Sequence, residues 1–250
     1  MGTTEIKDTT VIVTGASRGF GRAIASAFVQ AGARPVVGVA RGAAGLTDAR
    51  AELGDAFVPV TGDAADPVLA GELIDTYRPG ILVLNAGASP LPRPIQQHTW
   101  ETFSRTWDTD VRHAFNWVRE ALLAPLAPGS TVIAMSSGAA VAGSPLSGGY
   151  AGAKATIRFL TSYAQAESAR AGLGVRFVSL LPRLTPATGL GAAAVAAYAA
   201  RDGVEIEKYQ ESFGPTLTAD QAGDAAVRLV SDSAVDQQAY LLTAAGLAPA

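Results

Sequence analysis

The 250-residue chain contains no cysteine. That absence excludes disulfides, thiolate catalysis and cysteine-ligated metals together, and it suits a protein of the reducing cytoplasm. No uninterrupted apolar run approaches about 18 residues, so no segment reads as a membrane span. Residues Met1–Asp8 are too polar for a secretory signal. A basic surplus is also missing, because the net charge is -3 and charged residues make up 16% of the chain. This excludes the electrostatic footprint of a nucleic-acid binder. Lysine is scarce, with three against sixteen arginines. The two histidines, His98 and His113, have no partner at metal-ligand spacing. Both read as surface or interface residues, and no metal is expected.

What remains is rich in apolar residues, at 48%, which suits a sheet buried on both faces within one large domain spanning residues 1–250. Short apolar runs alternate with longer amphipathic segments, the pattern of an α/β fold with a doubly wound parallel sheet. The apolar runs predict about seven strands, near Thr10–Thr14, Pro35–Ala40, Ala56–Val60, Ile81–Leu84, Thr131–Ser136, Val175–Leu180 and Ala239–Thr243. One long helix is predicted over Trp100–Leu123, with Phe103, Trp107, Val111, Phe115, Val118 and Leu122 forming a broad apolar face. Only residues 183–214 break the rhythm. There GLGAAAVAAYAARDG lies between prolines and reads either as a helical lid or as a plain surface helix.

The stretch VIVTGASRGFGRAIA, Val11–Ala25, passes from an apolar run through a glycine-rich turn into an amphipathic segment. Glycine costs about 1 kcal/mol relative to alanine inside a helix, so Gly15, Gly19 and Gly21 need a reason. Close approach of the backbone to a diphosphate at a helix N-terminus is one. A tight turn with no ligand is the other, and a second signal has to decide.

That signal is Tyr150-Ala-Gly-Ala-Lys154, whose spacing sets a phenol and an ammonium on one helix face. With six tyrosines and three lysines in the chain, chance supplies about 0.07 such pairs. An ammonium beside a phenol favours its ionised form, as a general acid/base near neutral pH requires. A solvated surface pair is the alternative.

With these motifs the chain resembles the short-chain dehydrogenase/reductase family over nearly its whole length, and a single doubly wound (Rossmann) domain follows from the resemblance. The turn Thr14–Gly21, with Gly15, Ser17, Arg18, Gly19, Phe20 and Gly21, is similar to the family's cofactor loop. Asp63-Ala64 resembles the pair that meets the adenine, Asn85-Ala86-Gly87 the turn after the fourth strand, and Pro182 the proline beside the nicotinamide. Ser137 lies thirteen residues before Tyr150, the family's separation for its catalytic serine, and is preferred to Ser136. The resemblance implies that Tyr150 exchanges a proton with the substrate oxygen, that Ser137 holds that oxygen, and that Lys154 binds the nicotinamide ribose. It also implies a small-molecule carbonyl or alcohol substrate and a homodimer or homotetramer, assembled through the helix from Trp100 and the helix following Tyr150.

The dinucleotide is read from charge at the end of the second strand, where an acidic residue would grip a free ribose 2′-hydroxyl. The strand ends Val39-Ala40-Arg41 instead, and Arg18 stands in the glycine turn, so two guanidiniums can converge on a 2′-phosphate. NADP(H) is the expected cofactor; the alternative leaves both arginines as solvated surface cations.

Two positions depart from the family pattern. Asp110 falls where the family usually has an asparagine that helps hold a relay water, and an ionised carboxylate there would compete for the charge of Lys154. Arg183 follows Pro182 where the family prefers glycine. Arg183 and Arg93 either bracket the pocket mouth for an anionic substrate or point outward, and neither Thr185 nor Thr188 has the spacing to hold the carboxamide. The expected activity is hydride transfer between nicotinamide and a carbonyl or alcohol. Non-hydride chemistry such as isomerisation or cyclisation, or an idle dinucleotide-binding regulator, are the alternatives.

Overall fold

The computed structural model describes residues 5–212 and 214–250. Its strands are β1 Val11–Thr14, β2 Val36–Ala40, β3 Phe57–Thr61, β4 Ile81–Leu84, β5 Thr131–Met135, β6 Arg176–Pro182, β7 Ala239–Thr243 and β8 Gly246–Pro249. Between them run α1 Gly19–Gln30, α2 Ala43–Leu53, α3 Pro67–Tyr77, α4 Trp100–Thr106, α5 Arg112–Leu123, α6 Ala139–Ala142, α7 Tyr150–Arg170, α8 Gly189–Asp202, α9 Ile206–Glu211 and α10 Ala219–Ser231.

The strands form one sheet in the order β3-β2-β1-β4-β5-β6-β7-β8. All pairings are parallel except β7 with β8. Alternate residues of a strand face opposite sides of the sheet. Val11 and Val13 therefore join a core with Ile24 and Phe28 of α1 and Leu229 of α10. Ile12, between them, joins a second core with Leu73 of α3, Trp117 of α5 and Ile157 of α7. Both faces are covered, which is why β1, β2, β4 and β5 are apolar or small at every position and buried throughout.

The predicted strands lie close to the observed ones, and the eighth is an addition. β8 is a short antiparallel edge whose Gly-Leu-Ala-Pro sequence carries too little periodicity to announce itself. The long helix predicted from Trp100 is interrupted: residues Trp107–Val111 form a π-helical turn between α4 and α5. The wider turn carries Asp110 at its buried edge, and such bulges in helices often mark functional positions. Among the described residues, no helix is long and apolar enough to cross a membrane.

The chain order reverses between β1 and β4, because β2 follows β1 on one side and β4 flanks it on the other. A crevice opens at the carboxyl ends of the strands at such a switch point.

Candidate active site

A cavity of about 1470 Å³ occupies this crevice, and Gly19, Arg41, Asp63, Ser137, Tyr150 and Pro182 all line it. At one end lies the glycine turn between β1 and α1. Gly19 has a φ of +56°, and a side chain there would meet nothing closer than Thr188 at 3.8 Å. Gly15 and Gly21 have a different reason. A Cβ on Gly21 would stand 2.2 Å from the Gly15 carbonyl oxygen and 2.4 Å from Asn85 Nδ2. These two glycines therefore permit close packing of the turn against Asn85 and Ala86, a second reason for them beside their place in the cavity lining. No side chain caps α1 and no acidic residue occupies its first turn. Its free N–H groups and positive dipole end abut the cavity, as a diphosphate requires.

Asn85 is largely committed to the fold. Its Nδ2 donates to the carbonyls of Thr14 and Gly15 at 3.0 and 3.3 Å, while its N–H and that of Ala86 donate to Thr14 Oγ1. Asn85, Ala86 and Gly87 thereby line the cavity in a turn pinned to the end of β1.

Opposite the turn, Tyr150 begins α7, and Lys154 follows one turn later beneath it. Lys154 Nζ lies 5.6 Å from the centre of the Tyr150 ring, donates to the Met135 carbonyl at 3.2 Å and forms an ion pair with Asp110 Oδ2 at 3.1 Å. Oδ1 of Asp110 accepts from the Ala88 N–H at 2.7 Å and from Thr109 Oγ1 at 2.9 Å. Burial opposes charge on Lys154, but the Asp110 carboxylate and the Tyr150 phenol outweigh it and raise the ammonium above its usual range.

The two serines at the end of β5 part company. Ser136 is buried, and its hydroxyl donates to the Lys154 carbonyl at 2.7 Å, bracing α7 against β5. Ser137 lines the cavity, and its Oγ accepts from the Ala139 N–H at 3.2 Å, which leaves its own hydrogen for an oxygen in the cavity.

The sequence pattern described as short chain dehydrogenase matches residues 9–202. The chain belongs to that family. Among its relatives, serine 3-dehydrogenase of Rhizobium radiobacter is 35% identical over 181 residues, 69% of this chain and 70% of the relative. Sorbitol dehydrogenase of Cereibacter sphaeroides is 32% identical over 177 residues, 68% of each. The fold is shared with a crystal structure of 3-ketoacyl-(acyl-carrier-protein) reductase from Brucella melitensis complexed with NADH, at a TM-score of 0.78 and 24% identity. That likeness covers 95% of this chain and 97% of the other.

Around the short-chain dehydrogenase site, Arg18 and Arg41 are both exposed and both line the cavity near the glycine turn, as do Ser17 and Phe20. Asp63 and Ala64 line it beyond the end of β3, and Asp63 Oδ1 accepts from the Ala65 N–H at 2.9 Å. Arg183 lines the wall and also borders a small crevice beside Pro215. Arg183 lines the cavity and Arg93 does not, so of the two readings of this pair the bracket is not the one found. Arg201, in the last turn of α8, also lines the cavity. Thr185 is buried and donates to the Leu217 carbonyl at 2.5 Å, whereas Thr188 caps α8.

α8 and α9 fall within the 183–214 segment, and Leu190, Ala194 and Tyr198 face the cavity from α8. Tyr198 stacks on Tyr209 with centroids 6.1 Å apart, and its hydroxyl meets that of Ser144.

His113 overturns its sequence reading. It is 3% exposed rather than superficial, because it lies three residues after Asp110 on the inward face of the helix. Burial pushes its imidazole down to about 4, against the upward pull of the Asp110 carboxylate and of a backbone hydrogen bond at Ala86. It is a neutral ring at physiological pH, packed edge-on against Trp117. His98 is half-buried, with Nδ1 3.2 Å from Thr102 Oγ1. Only helical spacing from Asp110 could have signalled the burial of His113, and a spacing counts for little until the inward face is known.

Proposed function

We propose that the protein is an NADP(H)-dependent oxidoreductase that interconverts a ketone or aldehyde with its alcohol by direct hydride transfer. The observation that carries this reading is a single cavity lined by an uncapped helix N-terminus at one wall and by Ser137, Tyr150 and Lys154 at the other. The residues fit a dinucleotide: the diphosphate would meet the α1 N-terminus, and a 2′-phosphate would meet Arg18 and Arg41. When bound, the nicotinamide supplies or accepts the hydride.

This chain's own residues handle the oxygen and its proton. In the reducing direction Tyr150 gives its hydroxyl proton to the carbonyl oxygen, and the resulting phenolate is stabilised by the ammonium of Lys154. Ser137 donates its free hydrogen to the same oxygen, where negative charge develops as the carbonyl carbon is reduced. Lys154 has three N–H bonds; one reaches Met135, one faces Asp110, and the third is available for a nicotinamide ribose hydroxyl. Asp110 keeps Lys154 charged in a buried site while drawing on the field that Tyr150 feels, and it fixes the turn at Ala88.

Residues 183–214 form the substrate side of the pocket. The relatives act on substrates as different as serine and sorbitol by name, and fold does not carry substrate identity. A dimer or tetramer is part of the same proposal, supported by aromatic side chains left exposed on α5 and α7, namely Phe115, Phe159 and Tyr163, and a cytoplasmic location is proposed with it.

The test is loss of NADPH absorbance with a panel of ketones and aldehydes. Turnover of any member supports hydride transfer, whereas cofactor binding with no turnover across the panel points to the regulator, and no binding overturns the reading.

A further inference from the structure

The inward face of α5 carries polar side chains that a helix buried in an apolar core does not need. Asn116 is 8% exposed and Trp117 is fully buried. A buried amide or indole N–H is costly unless bonded, so each must have a partner. Asn116 Nδ2 donates to the Ala65 carbonyl at 2.9 Å, and Trp117 Nε1 donates to the Ala64 carbonyl at 2.8 Å. Two consecutive helix residues thus grip two consecutive carbonyls of the turn after β3, across more than fifty residues of sequence. That turn lines the cavity through Asp63, Ala64 and Ala65. Its start is tied to β2, where Gly62 N–H donates to the Ala40 carbonyl at 3.0 Å, and local bonds, Ala65 N–H to Asp63 Oδ1 and Asp66 N–H to the Asp63 carbonyl, set its shape. Past Gly62, the bonds from α5 are the ones that reach the Ala64 and Ala65 carbonyls from another element.

We propose that Asn116 and Trp117 are positioning residues that set the Asp63–Ala65 turn at the depth where it receives the adenine end of the dinucleotide. The proposal rests on the dinucleotide reading above. It assigns adenine affinity to a helix that continues from the π-helical turn bearing Asp110, which serves the reacting end through Lys154, so that one continuous helical segment registers both halves of the cofactor. Neither side chain touches the ligand. A turn released from both bonds can move away from the adenine without altering Tyr150, Ser137 or Lys154.

The experiment measures the two halves of the cofactor separately by calorimetry, with 2′,5′-ADP and 5′-ADP for the adenine half and nicotinamide mononucleotide for the other. The variants are Trp117→Phe, which removes the indole N–H but keeps a ring, and Asn116→Ala, a smaller change at a less buried position. Val118→Ala, in the same core but away from the cavity, controls for general destabilisation. The expected result is a Kd for the adenine half raised about 5- to 10-fold in each of the first two variants, the loss of one hydrogen bond, with nicotinamide mononucleotide binding unchanged. In Val118→Ala both affinities stay at the wild-type value. If wild type binds the adenine half and the two variants bind it equally well, or if both halves weaken together, the positioning role is overturned while the cofactor reading stands. If wild type binds neither adenine nucleotide, the cofactor reading falls and this proposal with it.

Discussion

Lys154 Nζ and Asp110 Oδ2 stand 3.1 Å apart with their side chains only 7% and 1% exposed. A carboxylate stands where the resembled family usually has a neutral amide, and it turns the foot of the site into a buried ion pair. Removing one partner of such a pair leaves the other charge uncompensated, at a cost of about 3–5 kcal/mol. Asp110→Asn, close to isosteric, is therefore expected to lose about 3 kcal/mol of stability at pH 7 by urea unfolding. Because Lys154 titrates above its ordinary value in the folded state, its contribution is complete at neutral pH and is lost as the pH rises through the folded value. The gap between wild type and variant should narrow only beyond pH 10.5, the ordinary lysine value. A gap under about 1 kcal/mol at pH 7 would mean that the pair is not ionised.

Tyr150→Phe removes a single oxygen from the cavity wall. Turnover is expected to drop by at least about 10²-fold, the usual contribution of a general acid/base, with cofactor affinity nearly unchanged. Near-normal turnover in steady-state assays would remove Tyr150 from the mechanism.

Arg41→Ala distinguishes the two dinucleotides, since they differ by one phosphate and β2 ends without an acid. Losing a charge-assisted contact worth about 1.5–3 kcal/mol predicts an NADPH affinity about 10- to 100-fold weaker, with NADH binding little changed. Arg18→Ala should act likewise but more weakly, because part of what residue 18 offers is its backbone in the turn that meets the shared diphosphate, and alanine keeps it. Equal wild-type affinity for both dinucleotides by fluorescence titration would reject the NADP(H) assignment.

His113 makes the fold sensitive to acid. Its folded value of about 4 lies below the 6.5 of an unperturbed imidazole, so between those limits the unfolded chain binds the extra proton and stability falls as the pH falls. The expected loss is about 2 kcal/mol between pH 7.5 and pH 5. His113→Gln should lack this component, giving a flatter dependence in urea unfolding at the two pH values. Identical slopes in wild type and variant would show that His113 does not titrate there.

The exposed rings of Phe115 and Phe159 predict assembly. Light scattering at micromolar concentration should give a dimer or tetramer mass, and the double variant Phe115→Glu/Phe159→Glu should shift it downward. A wild-type monomer would count against an interface on α5 and α7.

Local pattern was enough to read seven of the eight strands, the glycine turn and the spacing of Tyr150 from Lys154. Each is written in local pattern: β1, β2, β4 and β5 are short apolar runs because both faces of the sheet are covered, and four-residue spacing on a helix fixes which side chains share a face. Several outcomes belonged to the tertiary structure alone. Gly15 and Gly21 answer to Asn85, Ser136 to the backbone of α7, and Arg201 rather than Arg93 joins Arg183 in lining the cavity. The burial of His113 and the grip of Asn116 and Trp117 on the Ala64–Ala65 carbonyls depend on how α5 is rotated against the sheet. Local spacing can state that Asp110, His113 and Trp117 lie on one face. Which way that face points is set by the packing of α5 between α3 and α7, where burying Trp117, Val118 and Ala121 fixes the rotation and carries the polar residues inward with them.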